Sequence, residues 1–319
     1  MKARFTYLLK RVVFIPIVLI VVTLIIFALI HVTPGDPIQI MLGLETSPDA
    51  VKALQKQYNL DRPVPEQYFI WVSKAVRGDL GLSIRLHQPV TQMIAERFPI
   101  SLKLAAVSML FALMIALPTG IISAIRRNSW LDYLCTGISI AGLSIPNFTL
   151  ALLLIFVFAM KLQWFPITGI GSTTTPNQTF WGQFLPYILP AVALGIQQTA
   201  ILTRLLRSSM LEILTQDYIR TAYAKGVSSW SVMLVHALKN ALIPLVTVIA
   251  IQLGYLVGIT ITIEFIFAIP GMGYALLNAV IYRDFPVIQG FTLVMAIFFI
   301  LANLLADIVY TLIDPRIRY

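Results

Sequence analysis

The side chains able to do bond-making chemistry are few and scattered. His31, His87 and His236 are the only imidazoles and Cys135 the only thiol. No His-Glu-x-x-His helix offers a zinc site, and no Gly-x-Ser-x-Gly turn presents a nucleophilic serine. A single cysteine inside an apolar run makes neither an internal disulfide nor a multi-cysteine metal site, and reads as a small buried side chain. No Gly-x-x-x-x-Gly-Lys-Ser/Thr loop is present, so P-loop ATP hydrolysis by this chain is excluded. No catalytic residue, metal site or bound cofactor is expected.

What remains is the chemistry of contact. A polar interruption between two apolar spans reads Asp217-Tyr-Ile-Arg-Thr-Ala-Tyr-Ala-Lys-Gly226 and is followed by His236-Ala-Leu-Lys-Asn-Ala-Leu-Ile-Pro244. Ala222 and Ala224 favour helix, and Gly226 supplies a stop. The spacing predicts a two-turn helix over Tyr218 to Lys225, sized to enter a groove on a partner protein. An ordinary connector is the other reading of the same residues. Asn147, Gln197, Gln198, Gln252 and Asn303 lie within apolar stretches, where an amide must face either a neighbouring helix or a water-filled path. The first four are taken as candidates for lining such a path. Glu264 and Asp307 fall near span ends and are expected to reach an interface, not to relay protons. Gly254 and Gly258 form a Gly-x-x-x-Gly step that permits close backbone approach at a helix or subunit crossing.

The elements that must position these residues follow from composition. With 58% hydrophobic and 12% charged residues, the chain is far from a soluble domain, where about a quarter of residues are charged. Runs of 19, 22, 28, 24 and 22 uncharged residues lie between Arg11 and His31, Lys103 and Arg126, Asp132 and Lys161, Lys239 and Glu264, and Asp284 and Asp307. A sixth apolar stretch runs from about Phe184 to Thr203. Since roughly 20 apolar residues cross the hydrocarbon core as a helix, the expectation is an all-α polytopic membrane protein with six transmembrane helices. The first apolar run is too long for a secretory signal and lacks a cleavage site, so it is read as a retained span.

Charge sets the orientation. A cytoplasmic N-terminus gathers thirteen basic residues inside, including Arg126, Arg127, Arg204, Arg207, Arg220, Lys225 and Lys239, and leaves Lys161 and Arg283 in the two short outer loops. Both termini then face the cytoplasm. The net charge of +9 is a topology signal with attraction to anionic lipid headgroups; basic residues are not gathered with aromatics, so nucleic acid is not an expected partner. Three regions result. Residues 1–31 hold the cytoplasmic N-terminus and first span, 32–98 form an extracytoplasmic segment, and 99–319 form a core of helices two to six with the polar segment at about 215–240. Within 32–98, Ser47-Pro-Asp opens one short amphipathic helix with Val51, Leu54 and Tyr58 on a face. A second begins near Pro65-Glu66, places Phe69, Val72 and Val76 on one side and stops at Arg77-Gly78. Both are expected to lie against the outer ends of the spans, with docking of an external partner as a further role.

The polar segment resembles the coupling motif of bacterial ABC importer permeases, Glu-Ala-Ala-x-x-x-Gly followed by Ile-x-Leu-Pro. Aligned on Gly226, Arg220 and Thr221 replace the glutamate and first alanine while Ala222 matches; His236 and Lys239 replace isoleucine and proline while Leu238 matches. These departures look like the form used by the dipeptide/oligopeptide/nickel permease subfamily. Pro34-Gly-Asp-Pro37, Gly78-Asp-Leu-Gly-Leu-Ser83, Ser144-Ile-Pro-Asn-Phe148, Pro270-Gly-Met-Gly273, Arg283-Asp-Phe-Pro-Val-Ile-Gln-Gly290 and Asp314-Pro-Arg316 are similar to the same subfamily, in order, along nearly the whole chain.

The resemblance implies a type I ABC importer permease of the bacterial cytoplasmic membrane. Its expected partners are a second homologous permease, two cytoplasmic ABC ATPase subunits that bind ATP and Mg, and an extracytoplasmic substrate-binding protein. Substrate would pass between the two permeases by alternating access. Tyr218, Arg220, Thr221, Ala222, Tyr223, Ala224, Lys225 and Gly226 would enter a cleft of the ATPase. Short peptides are the expected cargo, with nickel chelates, glutathione or another small solute as alternatives. A stand-alone secondary transporter would need midplane acids or inverted repeats, which the sequence lacks; an assembly protein would leave the polar segment unexplained.

Overall fold

A computed structural model describes residues 2–32, 56, 61–167 and 180–313. Helix α1 is Lys2–Val32, α2 Val64–Val76 and α3 Val90–Ile125. Helices α4 (Trp130–Ser144) and α5 (Asn147–Leu154) follow, then α6 (Phe180–Leu214) and the short α7 (Asp217–Ala224). A turn at Ser229–Ser231 and a wide π-helical stretch at Val232–Ala237 lead into α8 (Leu238–Ile266), followed by α9 (Met272–Ile281) and α10 (Phe285–Ile313). No strand forms among the described residues, where one antiparallel bridge joins Leu82 to Pro89.

Four stretches are long and apolar enough to cross a membrane: Val90–Ile125, Phe184–Leu214, Ser229–Ile266 and Phe285–Val309. A fifth is counted if Trp130–Ser144 and Asn147–Lys161, which meet at 99°, are one broken span. The apolar part of α1, Val13–Ala28, is shorter. The 28-residue uncharged run between Asp132 and Lys161, counted as one span, is broken near its middle. Pro146 lacks an N–H and crowds its predecessor out of the helical region; Ile145 is extended at φ −89°, ψ 121°, and the helix restarts at Asn147. Beyond Leu154 the chain widens into a π-helical stretch, Ile155–Lys161.

The centre of the fold is the α3–α6 pair. Ala105, Met109, Ala112 and Ala116 recur on one face of α3 and are buried with Leu194, Leu202, Leu206 and Met210 of α6. In lipid, apolar contact alone gives helices little reason to associate, so close packing through small residues does the work. A Cβ added to Gly195 would come within 2.8 Å of the Ser108 carbonyl oxygen, which explains the glycine in mid-helix. In the most apolar 18-residue stretch of Phe184–Leu214, 61% of the residues are buried, against 11% in that of Phe285–Val309: the first is the core, the second the rim.

Two sequence expectations change at the end of the bundle away from α7. Helix α2 begins and ends where Pro65-Glu66 and Arg77-Gly78 predict, with Gly78 at φ +84°. It packs on α1 through Tyr68 and Trp71, which meet Phe27 edge-on and stacked, while Phe69 and Val76 stay exposed. The larger rings gain more by contact than the valine face does. Glu264, expected to reach an interface, is fully buried. It accepts hydrogen bonds from the Ser101 hydroxyl at 2.6 Å and the Tyr274 amide at 3.0 Å, and Ser101 Oγ in turn accepts from the Met272 amide at 2.8 Å. The carboxylate thus satisfies the first turn of α9 and ties it to α3 and α8. Asp307 pairs with Arg11 at 3.1 Å, joining α10 to α1. The expected helix at Ser47–Tyr58 and the motifs at Pro34–Pro37 and Asp314–Arg316 lie outside the described residues.

Candidate functional site

The polar segment folds as α7, one residue earlier than expected, and its stop is built in three steps. The Lys225 amide donates to the Thr221 carbonyl, Gly226 to Tyr223 and Val227 to Ala222, at 3.0, 3.0 and 3.2 Å. This is the glycine-terminated helix end in which two amides past the cap close on the last turn. Gly226 is at φ +77° with open space where a Cβ would stand, so conformation and not crowding selects glycine.

Two contacts fix α7 to the bundle. Ile219 is buried in the core cluster that holds Leu206 and Met210 of α6, and Ala222 and Val227 pack on the edge of that cluster. The Asn240 side-chain amide donates to the Tyr218 hydroxyl at 3.0 Å and to the His236 carbonyl at 3.0 Å. The two halves of the motif therefore meet in space. Arg220, Thr221, Tyr223, Ala224, Lys225 and Gly226 face outward. Tyr218 and Tyr223 are 45% and 43% exposed, and Trp230 and Val235 in the following turns 67% and 58%. Arg220 reaches Asp217 at 3.5 Å, but both are exposed, and such a pair contributes little. The sequence reading missed Ile219, Trp230 and Val235. The signal for Ile219 was its place as the one large aliphatic in a polar two-turn segment.

Directly along α6 from α7 is a charge network that the sequence reading used only as a span boundary. Arg207 donates to both oxygens of Asp132 at 2.7 Å. The Ser123 hydroxyl also donates to Asp132, and the Asn128 amide does so at 3.0 Å. Asp132 is buried. A bidentate, fully hydrogen-bonded pair of this kind joins α3, α4 and α6 at one point. A cavity of about 400 Å³ opens beside it, lined by Tyr133, Thr136, Ser139, Thr203 and Arg204. Ser101 and Ser123 are 22 residues apart on α3, or about 33 Å of helix. The Glu264 and Asp132 networks thus mark opposite ends of a bilayer-wide slab.

The candidate path residues separate. Asn147 opens α5 at the break, with a buried Oδ1 that has no partner among the described residues. Gln197 extends its amide toward the Ile145 carbonyl at 3.5 Å, which brings these two to the same kink. Gln198, one residue on, is buried with an unpartnered Oε1, and Gln252 is half-buried on α8. Gly254 is taken up within the chain: a Cβ there would come within 2.9 Å of Ala302 Cβ on α10. Gly258 faces open space. Among the described residues no group of His, Cys, Asp and Glu suits a metal ion.

Comparison with known proteins gives a consistent result. Residues 116–319 match the binding-protein-dependent transport system inner membrane component family, and residues 4–105 match the N-terminal part of such membrane components. The chain is 40% identical over 313 residues to the glutathione transport system permease protein GsiC of Escherichia coli strain K12, covering 98% of this chain and 99% of that protein. It is 41% identical over 330 residues to the dipeptide transport system permease protein DppB of Alkalihalophilus pseudofirmus, with the same coverage of each.

Proposed function

Because the chain belongs to the family of binding-protein-dependent transport system inner membrane components, we propose that it is one half of a translocation pathway, worked by ATPase subunits that dock on α7. The observation that carries this is the construction of α7. It is anchored by Ile219 and the Tyr218–Asn240 bond, yet presents Arg220, Thr221, Tyr223 and Lys225 outward. A rigidly held helix with an uncovered polar and aromatic face suits insertion into a partner's cleft, and its attachment to α6 would convert cleft closure into a movement of the central helix.

In this reading a second permease completes the path, with the kink at Asn147 and Gln197 facing it and Gln198 and Gln252 as further candidates for its lining. Two ATPases supply ATP and Mg chemistry, and a binding protein delivers cargo from outside. Six spans put both termini and α7 in the cytoplasm, as the basic residues favour. Short peptides are the proposed cargo, since relatives serve dipeptide and glutathione transport; glutathione itself fits the same architecture.

The test is copurification followed by reconstitution. An ATPase and a second permease should accompany the chain, and peptide-loaded binding protein should stimulate ATP hydrolysis by the complex. Purified alone, the chain should show no ATPase activity and no peptide flux in liposomes. Saturable peptide uptake by the chain alone, driven by an ion gradient and indifferent to ATP, would replace this reading with a secondary transporter.

A further inference from the structure

A cavity of about 320 Å³ lies where the start of α3, α9 and the turn at 83–87 meet, with Arg85, Arg97, Tyr274, Asn278 and Tyr282 in its wall. Its charge is not balanced from within. Asp284 is the acid lining it, and that carboxylate already accepts from the Ser83 hydroxyl and from the amides of Ile84 and Arg85. The Arg85 guanidinium stacks 3.5 Å over the Tyr282 ring, which holds it in place without neutralising it. Arg97 is partly buried, and its Nε is closed off from solvent with no partner among the described residues. Two guanidinium groups in one concave site repel each other, and an unpaired buried N–H costs free energy. An anion resolves both, and the planar fork of arginine fits a carboxylate with two parallel bonds.

We propose that this cavity receives an acidic side chain from the docking face of the extracytoplasmic binding protein. The proposal rests on the importer reading above. It commits to a protein carboxylate because the cavity is at the Glu264 end of α3, opposite α7, where residues 80–98 pack against α9 and α10. An external partner lands at that end, and charge complementarity there steers it and fixes its register.

The test uses the whole importer in neutral-lipid proteoliposomes, titrated with loaded binding protein at low and high salt, with ATP hydrolysis and cargo uptake as readouts. Arg97→Gln should raise the half-saturating binding-protein concentration about thirtyfold or more at low salt, as loss of one partner of a buried charge pair does, and flatten its salt dependence. Activity should recover as binding protein is raised. Arg97→Lys, which keeps charge without the fork, should recover part of the loss. Arg85→Gln, at an exposed position, should shift in the same direction and serves if Arg97→Gln fails to assemble. Unchanged half-saturation in both Gln variants overturns the proposal. Unchanged half-saturation with less cargo moved per ATP also overturns it, and assigns the carboxylate to the cargo. No stimulation of the unsubstituted complex by any binding protein removes the importer reading, and the docking site with it.

Discussion

At the residue scale, Gly226 separates a conformational demand from a packing one. Nothing stands within 4 Å of its absent Cβ, so a substitution there meets only the left-handed backbone, which costs an ordinary residue about 1–2 kcal/mol. Gly226→Ala should loosen the end of α7 mildly, and Gly226→Val more, because branching at Cβ crowds a positive φ further. In the assembled importer we expect peptide uptake and stimulated ATP hydrolysis to fall in the order glycine, alanine, valine, with membrane insertion unchanged. Normal stimulation in the valine variant would show α7 to be a connector. Gly226 was legible because φ preference is a property of one residue. Ile219 stood out as the one large aliphatic of the segment, but what buries it is α6, which the segment's own composition does not describe.

Elements are held together here by a few polar joints in an apolar bundle. Asp132 of α4 gathers Ser123 of α3, Arg207 of α6 and the Asn128 amide, and α4 has no other charged joint among the described residues. Asp132→Ala leaves Arg207 without its carboxylate, and breaking a buried pair costs about 3–5 kcal/mol; the 29% exposure of the Arg207 side chain argues for the lower end. Asp132→Asn keeps the shape and should cost less. Thermal unfolding of detergent-purified variants, followed by intrinsic fluorescence, should rank wild type above Asn above Ala. If Arg207→Met restores Asp132→Leu no better than it tolerates wild-type Asp132, the joint is not acting as a pair. The sequence announced the helices themselves, since apolar run length is local. It did not announce the 99° angle at Pro146, because a proline kinks some helices and ends others according to what re-satisfies the freed carbonyls. Nor did it announce the burial of Glu264, because Ser101 is 163 residues away in sequence.

For the whole molecule, orientation is the property on which the proposed roles of both ends depend. In a Cys135→Ser background, a cysteine at Ser229 should react only with reagent supplied from the cytoplasm, and one at Ser73, exposed on α2, only with reagent supplied outside. Reversed labelling would exchange the ATPase side and the docking side. The long-range joints also set a timetable for synthesis. Arg207 follows Asp132 by 75 residues and Glu264 follows Ser101 by 163. At about 5–20 residues per second of translation, the Asp132 joint waits about 4–15 s for its partner and the Ser101 joint about 8–33 s. During that interval the Asp132 carboxylate has Ser123 and the Asn128 amide but not its cation, so a nascent chain halted before Arg207 should be cleared faster by membrane quality control than one halted beyond it.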